Sequence, residues 1–325
     1  MFTPTRLTLA RKRRGLTLVR LAQRSGISAR SLSAYENGHQ QPTVEALAAL
    51  ASTLEFPDAF LQAEDIEEVP VEAISFRARS KRTAAQKDAA RSAGRIAIAI
   101  NDWVETRFRL PEPDVPSLPN LDPETAAQVV RARWGLGHRP ISNMVHLLEA
   151  HGVRVYALVA DCADIDAFSL YWRATPFLFL NLAKSGERGR FDAAHELGHL
   201  VMHGEEAAAA GPQAEAAANR FAAAFLMPAA DILARSLHEA TSERILRAKQ
   251  VWKVSAMALA HRLHEMQLLS DWAYRTACVD LARRGYRSGE PGGIPRENSQ
   301  LLSKVFKALR AEHIRQTDIA RPNCT

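Results

Sequence analysis

The stretch RFDAAHELGHLVMHG, residues 190–204, decides how the rest of the chain is interpreted. Its histidines His195 and His199 are four residues apart, and on an α-helix such a pair lies on one face with Cβ atoms about 5–6 Å apart. Both imidazoles can then point at one metal ion. The helix is otherwise apolar, as a buried metal-binding helix requires, and Gly198 predicts the close approach of another element. The alternative is that both histidines are surface residues of an amphipathic helix.

Glu196 directly follows the first histidine and completes an HExxH pattern. In that pattern the two histidines hold zinc, and the glutamate acts as a general base on water at the metal. A catalytic zinc site needs a third protein ligand. Glu215, in the downstream stretch QAEAAANRFAAAFLMP, is the favoured ligand. Asn219, one helical turn later, is predicted to orient a ligand by hydrogen bonding.

Other residues near these stretches are kept as alternatives. Glu205 and Glu206 are rival third ligands, although they lie close to the end of the histidine helix. His203, one further turn along the same face, is a weak candidate for binding substrate or the transition state, and equally a simple helix-end histidine. Spacing does not choose among three further candidates for an oxyanion or substrate contact, which are Tyr156, Tyr171 and Arg190.

The first sixty residues predict a different kind of domain. Thr17 and Ser28 are typical N-cap residues, and Gly26 separates the two short helices that they begin. A short helix, a tight turn and a second helix form a helix-turn-helix, whose second helix enters the DNA major groove. Residues 1–60 contain eight Lys or Arg against four Asp or Glu, a balance that favours phosphate binding. The alternative is a helical module that binds protein.

Periodicity predicts the remaining elements. Further helices are expected over residues 83–108, 122–134, 141–151, 187–203, 214–226, 229–239 and 299–311, with weaker helical character up to about residue 283. Short strands are expected over residues 152–159, 166–172 and 176–181. The predicted fold class is therefore mainly α with a small β-sheet (α+β), with an all-helical helix-turn-helix domain first and a helical C-terminal region last. The HExxH pattern identifies the part between them as a zincin-like metallopeptidase domain.

Four segments are predicted along the chain. They are a helix-turn-helix domain (1–62), a helical linker with the start of the peptidase region (63–122), a metallopeptidase core (123–240) and a helical C-terminal region of unassigned role (241–325). In zinc peptidases built this way, an extended substrate adds as a strand to the sheet edge beside the metal helix. Residues 177–181 are a candidate for that edge, and the alternative is an ordinary buried strand.

Composition excludes several classes of protein. The chain of 325 residues has a formal net charge of +6, which is compatible with a polyanionic partner. No apolar run approaches the roughly 20 residues that span a bilayer, and the N-terminus lacks the order of a signal peptide. The three cysteines, Cys162, Cys278 and Cys324, have no metal-ligand spacing. We therefore expect a reduced cytoplasmic protein with no membrane partner.

The stretch TLVRLAQRSGISARSLSAYENGHQQPTVEALAALASTL, residues 17–54, resembles the helix-turn-helix of the Xre family. The resemblance implies binding of double-stranded DNA, with the chain acting as a homodimer on a near-palindromic site. It places base-edge contacts at Ala29, Arg30 and Ser33, and phosphate contacts at Ser28, Ser31, Asn37 and Gln40. Arg30 is the best reader among them, because its guanidinium can grip a guanine edge.

HELGH at residues 195–199, Glu215 and FAAAFLMP at residues 221–228 resemble the ImmA/IrrE metallopeptidase family. The resemblance covers residues 75–228 and implies Zn²⁺ held by the two histidines and Glu215. Many members have a second acidic residue where this chain has Ala217. Such peptidases cleave a protein substrate, a helix-turn-helix repressor, and so release stress, mobile-element or phage genes. Two alternatives stay open: a transcription factor whose peptidase fold is a non-catalytic sensor, and a toxin–antitoxin type repressor.

Overall fold

The computed structural model describes residues 1–68, 74–76, 84–158, 167–204 and 211–314, and within them the chain has the expected α+β composition. The helices are α1 (Pro4–Arg13), α2 (Leu18–Ser25), α3 (Ala29–Glu36), α4 (Val44–Leu54), α5 (Asp58–Gln62), α6 (Ala84–Glu105), α7 (Pro123–Arg133), α8 (Met144–Ala150), α9 (Gly186–His203), α10 (Pro212–Leu226), α11 (Ala229–Leu233), α12 (Ser242–Trp252), α13 (Ala256–Glu265), α14 (Asp271–Arg283) and α15 (Leu301–Ala311). The strands are β1 (Ile74–Phe76), β2 (Arg154–Leu158), β3 (Ala167–Trp172) and β4 (Thr175–Asn181).

The chain divides into two compact units. The first unit comprises Met1–Val71, Arg79–Arg109 and Gln300–Thr325. The second unit comprises Glu72–Ala78 and Leu110–Ser299. The first contains α1 to α6 and α15, and the second contains the sheet and α7 to α14. The four segment boundaries drawn from the sequence stay predictions.

The N-terminal helices begin at the residues that the sequence indicated. The side chains of Thr17, Ser28 and Thr43 accept hydrogen bonds from backbone N–H groups in the first turns of α2, α3 and α4. Gly26 ends α2 with φ of 73°, a left-handed conformation that glycine adopts without steric cost. The predicted capping at Thr17 and Ser28 is therefore confirmed, and α2, the glycine turn and α3 form the helix-turn-helix.

The core of this helical bundle orients α3. Leu32 and Tyr35 of α3 are buried with Leu21 of α2 and Leu50 of α4. Apolar side chains buried in this way stabilise the fold by about 1.5–3 kcal/mol each. The guanidinium of Arg11 in α1 also donates two hydrogen bonds, of 2.6 and 2.8 Å, to the carboxylate at the end of α3. The opposite face of α3 is thus left to solvent.

The sheet of the second unit has the strand order β1-β3-β4-β2. β3 is antiparallel to β1 and to β4, whereas β2 is parallel to β4. β4 therefore has a hydrogen-bonded neighbour on each side, and Phe177 and Phe179 within it are buried. The suggestion that residues 177–181 form a substrate-binding edge is wrong, because a central strand has no free main-chain groups to offer a peptide.

The histidine helix α9 lies at the centre of the second unit's core. It packs against β3, β4 and α10. A Cβ atom added at Gly198 would lie 3.0 Å from Cδ1 of Phe221 and 3.3 Å from Cα of Ala218, both on α10. The predicted close approach at Gly198 is therefore confirmed. Side chains of α12, α13 and α14 join the same apolar cluster, among them Trp252 and Leu259.

Two elements differ from the sequence expectation. The helix expected over residues 229–239 ends at Leu233, because Ser236 and Glu239 have positive φ values of 53° and 44°, which a helix does not tolerate. β1 was not expected from periodicity. Within the described ranges, no helix combines the length and apolar character needed to cross a membrane.

Candidate functional site

The N-terminal half of α9 holds the helix in place through local contacts. Ser185 caps α9 by accepting a hydrogen bond from the backbone N–H of Arg188. Asp192, almost fully buried, accepts a 2.9 Å hydrogen bond from the side chain of Lys184. The second half of the helix is apolar except for the histidines and Glu196. The polar groups of this half therefore stand in a dry environment, where electrostatic interactions are strong.

Three side chains from α9 and α10 converge at one point. The Nε2 atoms of His195 and His199 lie 3.0 Å apart. Carboxylate oxygens of Glu215 lie 3.5 Å from each of these nitrogens. A tetrahedral zinc ion with bonds of about 2.0–2.1 Å separates its ligands by about 3.3 Å. In the described part of the chain, this is the one group of three or more His, Cys, Asp or Glu side chains arranged to hold a metal.

Asn219 determines which nitrogen of His195 faces the other two ligands. Its amide oxygen lies 3.0 Å from Nδ1 of His195. An amide oxygen only accepts hydrogen bonds, so Nδ1 must carry the proton. The lone pair of the neutral ring then lies on Nε2, which points at His199 and Glu215. This is the tautomer that a metal ligand needs, and the residues present therefore fit a metal ion.

Glu215 is held in its charged form. Burial favours the neutral carboxyl group, but the adjacent imidazoles of His195 and His199 outweigh it and hold the pKa of Glu215 well below its usual value. A carboxylate that is ionised across the neutral range is the form that binds a cation. Two neutral imidazoles and one carboxylate leave a net positive charge on a bound divalent ion.

Glu196 points toward the sheet and does not join this group. It is fully buried, and the hydroxyl of Ser169 on β3 donates a 2.8 Å hydrogen bond to its Oε2. Ser169 is itself buried and faces α9 from the middle of the strand. Sequence reasoning missed Ser169, because a single serine in a strand 27 residues before Glu196 carries no pattern. A hydrogen bond of this kind fixes the orientation of the carboxylate.

His203 lies one turn beyond the metal group, with its ring 5.3 Å from the ring of His199. Burial, which opposes the charged ring, lowers the pKa of His203 and favours the neutral form. His203 thus stays a weak candidate for contact with substrate. The rival ligands Glu205 and Glu206 lie outside the described residues.

The three other candidates occupy different environments. The guanidinium of Arg190 is buried and bonds to the carbonyl oxygen of Ile141 and to the carboxylate of Glu297. These contacts tie α9 to neighbouring loops, which assigns Arg190 a structural task. Tyr156 stacks on Phe179 on the sheet face away from α9. Tyr171 shares the face of Ser169, and its hydroxyl donates to a backbone oxygen of α9 at 3.4 Å.

The residues expected to contact DNA all reach the surface of the first unit. Ser28, Ala29, Arg30, Asn37 and Gln40 are exposed, and Ser31 and Ser33 are half-buried. Hydrogen bonds among them order this surface. Ser28 caps α3, and the amide of Asn37 donates to the backbone oxygen of Ser33 at 2.8 Å. Arg30 lies in the first turn of α3, the part of a recognition helix that contacts base edges.

Comparison with known families agrees with both sites. Residues 7–61 match a family model described as helix-turn-helix. Residues 148–264 match the model of a peptidase family described as the IrrE N-terminal-like domain. The chain carries both domains. No curated protein shows a significant match.

The predicted fusion of the two domains is confirmed by these matches. The helix-turn-helix domain makes the protein a DNA-binding regulator, and the IrrE-like domain gives it a peptidase-like fold. The converging group of His195, His199 and Glu215 lies inside the matched IrrE-like range. The protein thus carries a helix-turn-helix domain and, in its IrrE-like domain, a group of side chains arranged to hold a metal.

Asn219 offers a test of the metal centre of the IrrE-like domain. We expect Asn219→Ala to weaken metal binding by about 10–100-fold, because His195 loses the acceptor that fixes its tautomer. Asn219→Asp keeps an acceptor oxygen at this place and is expected to bind metal at least as well as the wild-type protein. Competition titrations with a zinc chelator measure both variants. Equal zinc affinity of Asn219→Ala and wild type would show that this contact does not orient a ligand.

Proposed function

We propose that the protein is a cytoplasmic transcriptional regulator with a zinc-dependent endopeptidase domain. Its helix-turn-helix domain binds operator DNA as a homodimer, and its IrrE-like domain cleaves a protein partner, for which a helix-turn-helix repressor is the substrate class. Cleavage then releases stress, mobile-element or phage genes. The observation that carries the proposal is the convergence of His195, His199 and Glu215 at one point, with the buried Glu196 next to His195 in the chain.

The donor set favours zinc. Two imidazole nitrogens and one carboxylate are a ligand set of catalytic zinc sites. When bound, zinc supplies Lewis acidity and lowers the pKa of water at the site. His195, held by Asn219, and Glu215, held in its charged form, are the residues that keep the site ready for the ion.

Glu196 is proposed to move the protons of the reaction. As a general base it accepts a proton from the attacking water, and it returns a proton to the nitrogen of the leaving amine. Its hydrogen bond from Ser169 fixes one carboxylate oxygen on the sheet side. Because Glu196 is buried, proton transfer takes place away from bulk solvent. A sensor without turnover has no need of a general base in this position.

Cleavage is tested with the zinc-loaded protein and candidate repressors from the same genome, followed by mass spectrometry of fragments. We expect one or a few cleavage sites in a helix-turn-helix repressor, and none after the zinc is chelated. Intact repressors throughout would leave the DNA-binding regulator standing and would favour the sensor function of the IrrE-like domain.

Arg30 offers a test of the DNA-reading surface. We expect Arg30→Ala to weaken specific binding by about 1–3 kcal/mol and to relax the base preference at one position per half-site. The matched control is Arg24→Ala, another exposed arginine, proposed to face phosphates. It should weaken binding to all sequences alike and reduce the salt slope by about 1. Operator titrations at several salt concentrations measure both, and specific binding that survives deletion of residues 1–62 contradicts the assignment.

A further inference from the structure

The position of β3 defines where an extended substrate can reach Glu196. Ser169, in the middle of β3, donates the 2.8 Å hydrogen bond to the carboxylate of Glu196. β3 is therefore the strand next to the proposed general base. One side of β3 pairs with β4, and the other side pairs with β1. β2 lies at the far edge of the sheet and has no pairing with β3.

Main-chain recognition of a protein substrate needs a strand edge with available N–H and C=O groups. β4 cannot supply that edge, because β3 and β2 flank it. The side of β3 that faces away from β4 is the edge nearest Glu196, and residues 74–76 of the same chain occupy it. An extended substrate that reaches Glu196 along β3 must therefore take the place of β1.

The register places β1 directly beside the proposed catalytic group. Ile74 pairs with Leu170, Ser75 with Ser169, and Phe76 with Phe168, in antiparallel orientation. The backbone of Ser75 thus lies directly across from the residue that holds Glu196. In this register β1 runs through the middle of β3, where a bound peptide would be recognised.

The connection of β1 to the rest of the chain suits it to leave again. Glu72–Ala78 belongs to the second unit, whereas Met1–Val71 before it and Arg79–Arg109 after it group with the helices of the first unit. A strand tethered at both ends can leave the edge of β3 and return to it.

We propose that β1 is an internal occupant of the substrate-binding edge of β3, so that the peptidase site opens only when β1 leaves. The inference rests on the proposed function, because it regulates the same site. A strand tethered in this way competes at an effective concentration on the order of millimolar. A protein substrate gains the edge when it binds β3 more strongly than β1 does, or when a change in the first unit withdraws β1.

The first test is a reversible disulfide between β1 and β3. Directly opposite residues of antiparallel strands have Cα atoms about 4.5–5.5 Å apart, within reach of a disulfide. The full-length double variant Ile74→Cys, Leu170→Cys should form one under oxidation, identified by mass spectrometry. The single variants Ile74→Cys and Leu170→Cys, oxidised in the same way, control for the native cysteines and for the changed side chains.

A proline in β1 is the second test. Proline has no N–H to donate and restricts the backbone of the residue before it, so Ser75→Pro should weaken the pairing of β1 with β3. The probe is a fluorescent synthetic peptide with the chain's own sequence Glu72–Ala78 (EAISFRA). Binding is measured by anisotropy on zinc-loaded protein that also carries Glu196→Gln, so that bound peptide is not cleaved.

The two tests have opposite expected results. The protein with Ser75→Pro should bind the peptide at least about tenfold more tightly than the protein with unaltered β1, because the tethered strand no longer competes for β3. The oxidised double variant should bind no peptide, and reduction should restore the weak binding of its reduced form. In protein with Glu196 intact, oxidation should also stop cleavage of the repressor substrate.

Failure of this inference is distinguishable from failure of the proposed function. Equal peptide affinity of Ser75→Pro and the unaltered edge, or of the oxidised and reduced double variant, overturns the role of β1. Absence of the disulfide overturns the strand register on which the inference depends. If peptide binding follows the expected pattern but no repressor is cleaved, β1 still occupies the edge of β3, and only the proposed proteolytic function is contradicted.

Discussion

His195→Ala protein is expected to purify with almost no zinc, whereas the wild-type protein should carry about one zinc ion per chain. The physical reason is that Nε2 of His195 lies 3.0 Å from Nε2 of His199 and 3.5 Å from the carboxylate of Glu215. Removing one of three protein ligands leaves two, which is too few for a stable site. Elemental analysis after dialysis against trace chelator measures the zinc content.

The chain offers a matched control on the same helix. His203→Ala removes an imidazole one turn beyond His199 and is expected to leave the zinc content unchanged, because His203 is outside the converging group. Glu215→Ala should lose the metal as His195→Ala does. Full zinc content in Glu215→Ala would show that the third ligand is another carboxylate, and Glu205 and Glu206 would then be the candidates.

Glu196→Gln is expected to keep the zinc and to lose cleavage by about 10²–10⁴-fold, which is the usual contribution of a general base. The amide is nearly the same size as the carboxylate and can still accept a hydrogen bond from Ser169, but it cannot take a proton from water. The measurement is the rate of fragment formation from the repressor substrate at matched zinc content. Unchanged operator binding shows that the variant is folded.

The same substitution at Glu215 separates metal binding from proton transfer. Glu215→Gln removes the negative ligand and should lose zinc, whereas Glu196→Gln should not. In cells, a proteolytic regulator carrying Glu196→Gln would bind its operator but fail to induce its target genes. Normal induction by this protein, confirmed to contain zinc, would decide for the sensor.

Much of the candidate site is predictable because its geometry is local. The spacing of His195 and His199 on one helix places both rings on one face whatever the rest of the fold does. The caps at Thr17, Ser28 and Thr43 are likewise contacts within three residues. Gly198 correctly predicted close packing. A glycine inside a helix lowers the stability of that helix, so its presence indicates that a neighbouring element needs the space that a side chain would fill.

Contacts between residues far apart in the chain could not be predicted from the sequence. Arg190, a candidate for substrate contact from the sequence, bonds to Glu297, which follows it by 107 residues. Nothing near Arg190 in the sequence indicates that partner. The same holds for the strand at residues 177–181, whose buried central position depends on neighbours supplied by β2 and β3.

The sequence by itself determined the two domains, the pair of histidines with Glu196 between them, and the recognition helix with exposed Arg30. These features depend on helix periodicity and on caps, which act over a few residues. Only the tertiary structure decided that Ser169 holds Glu196, that His195 is the ligand to which Asn219 bonds, and that β1 lies on the edge of β3. Hydrogen bonds of this kind join elements that are far apart in the chain, so their partners are selected by how the elements pack and not by any local spacing.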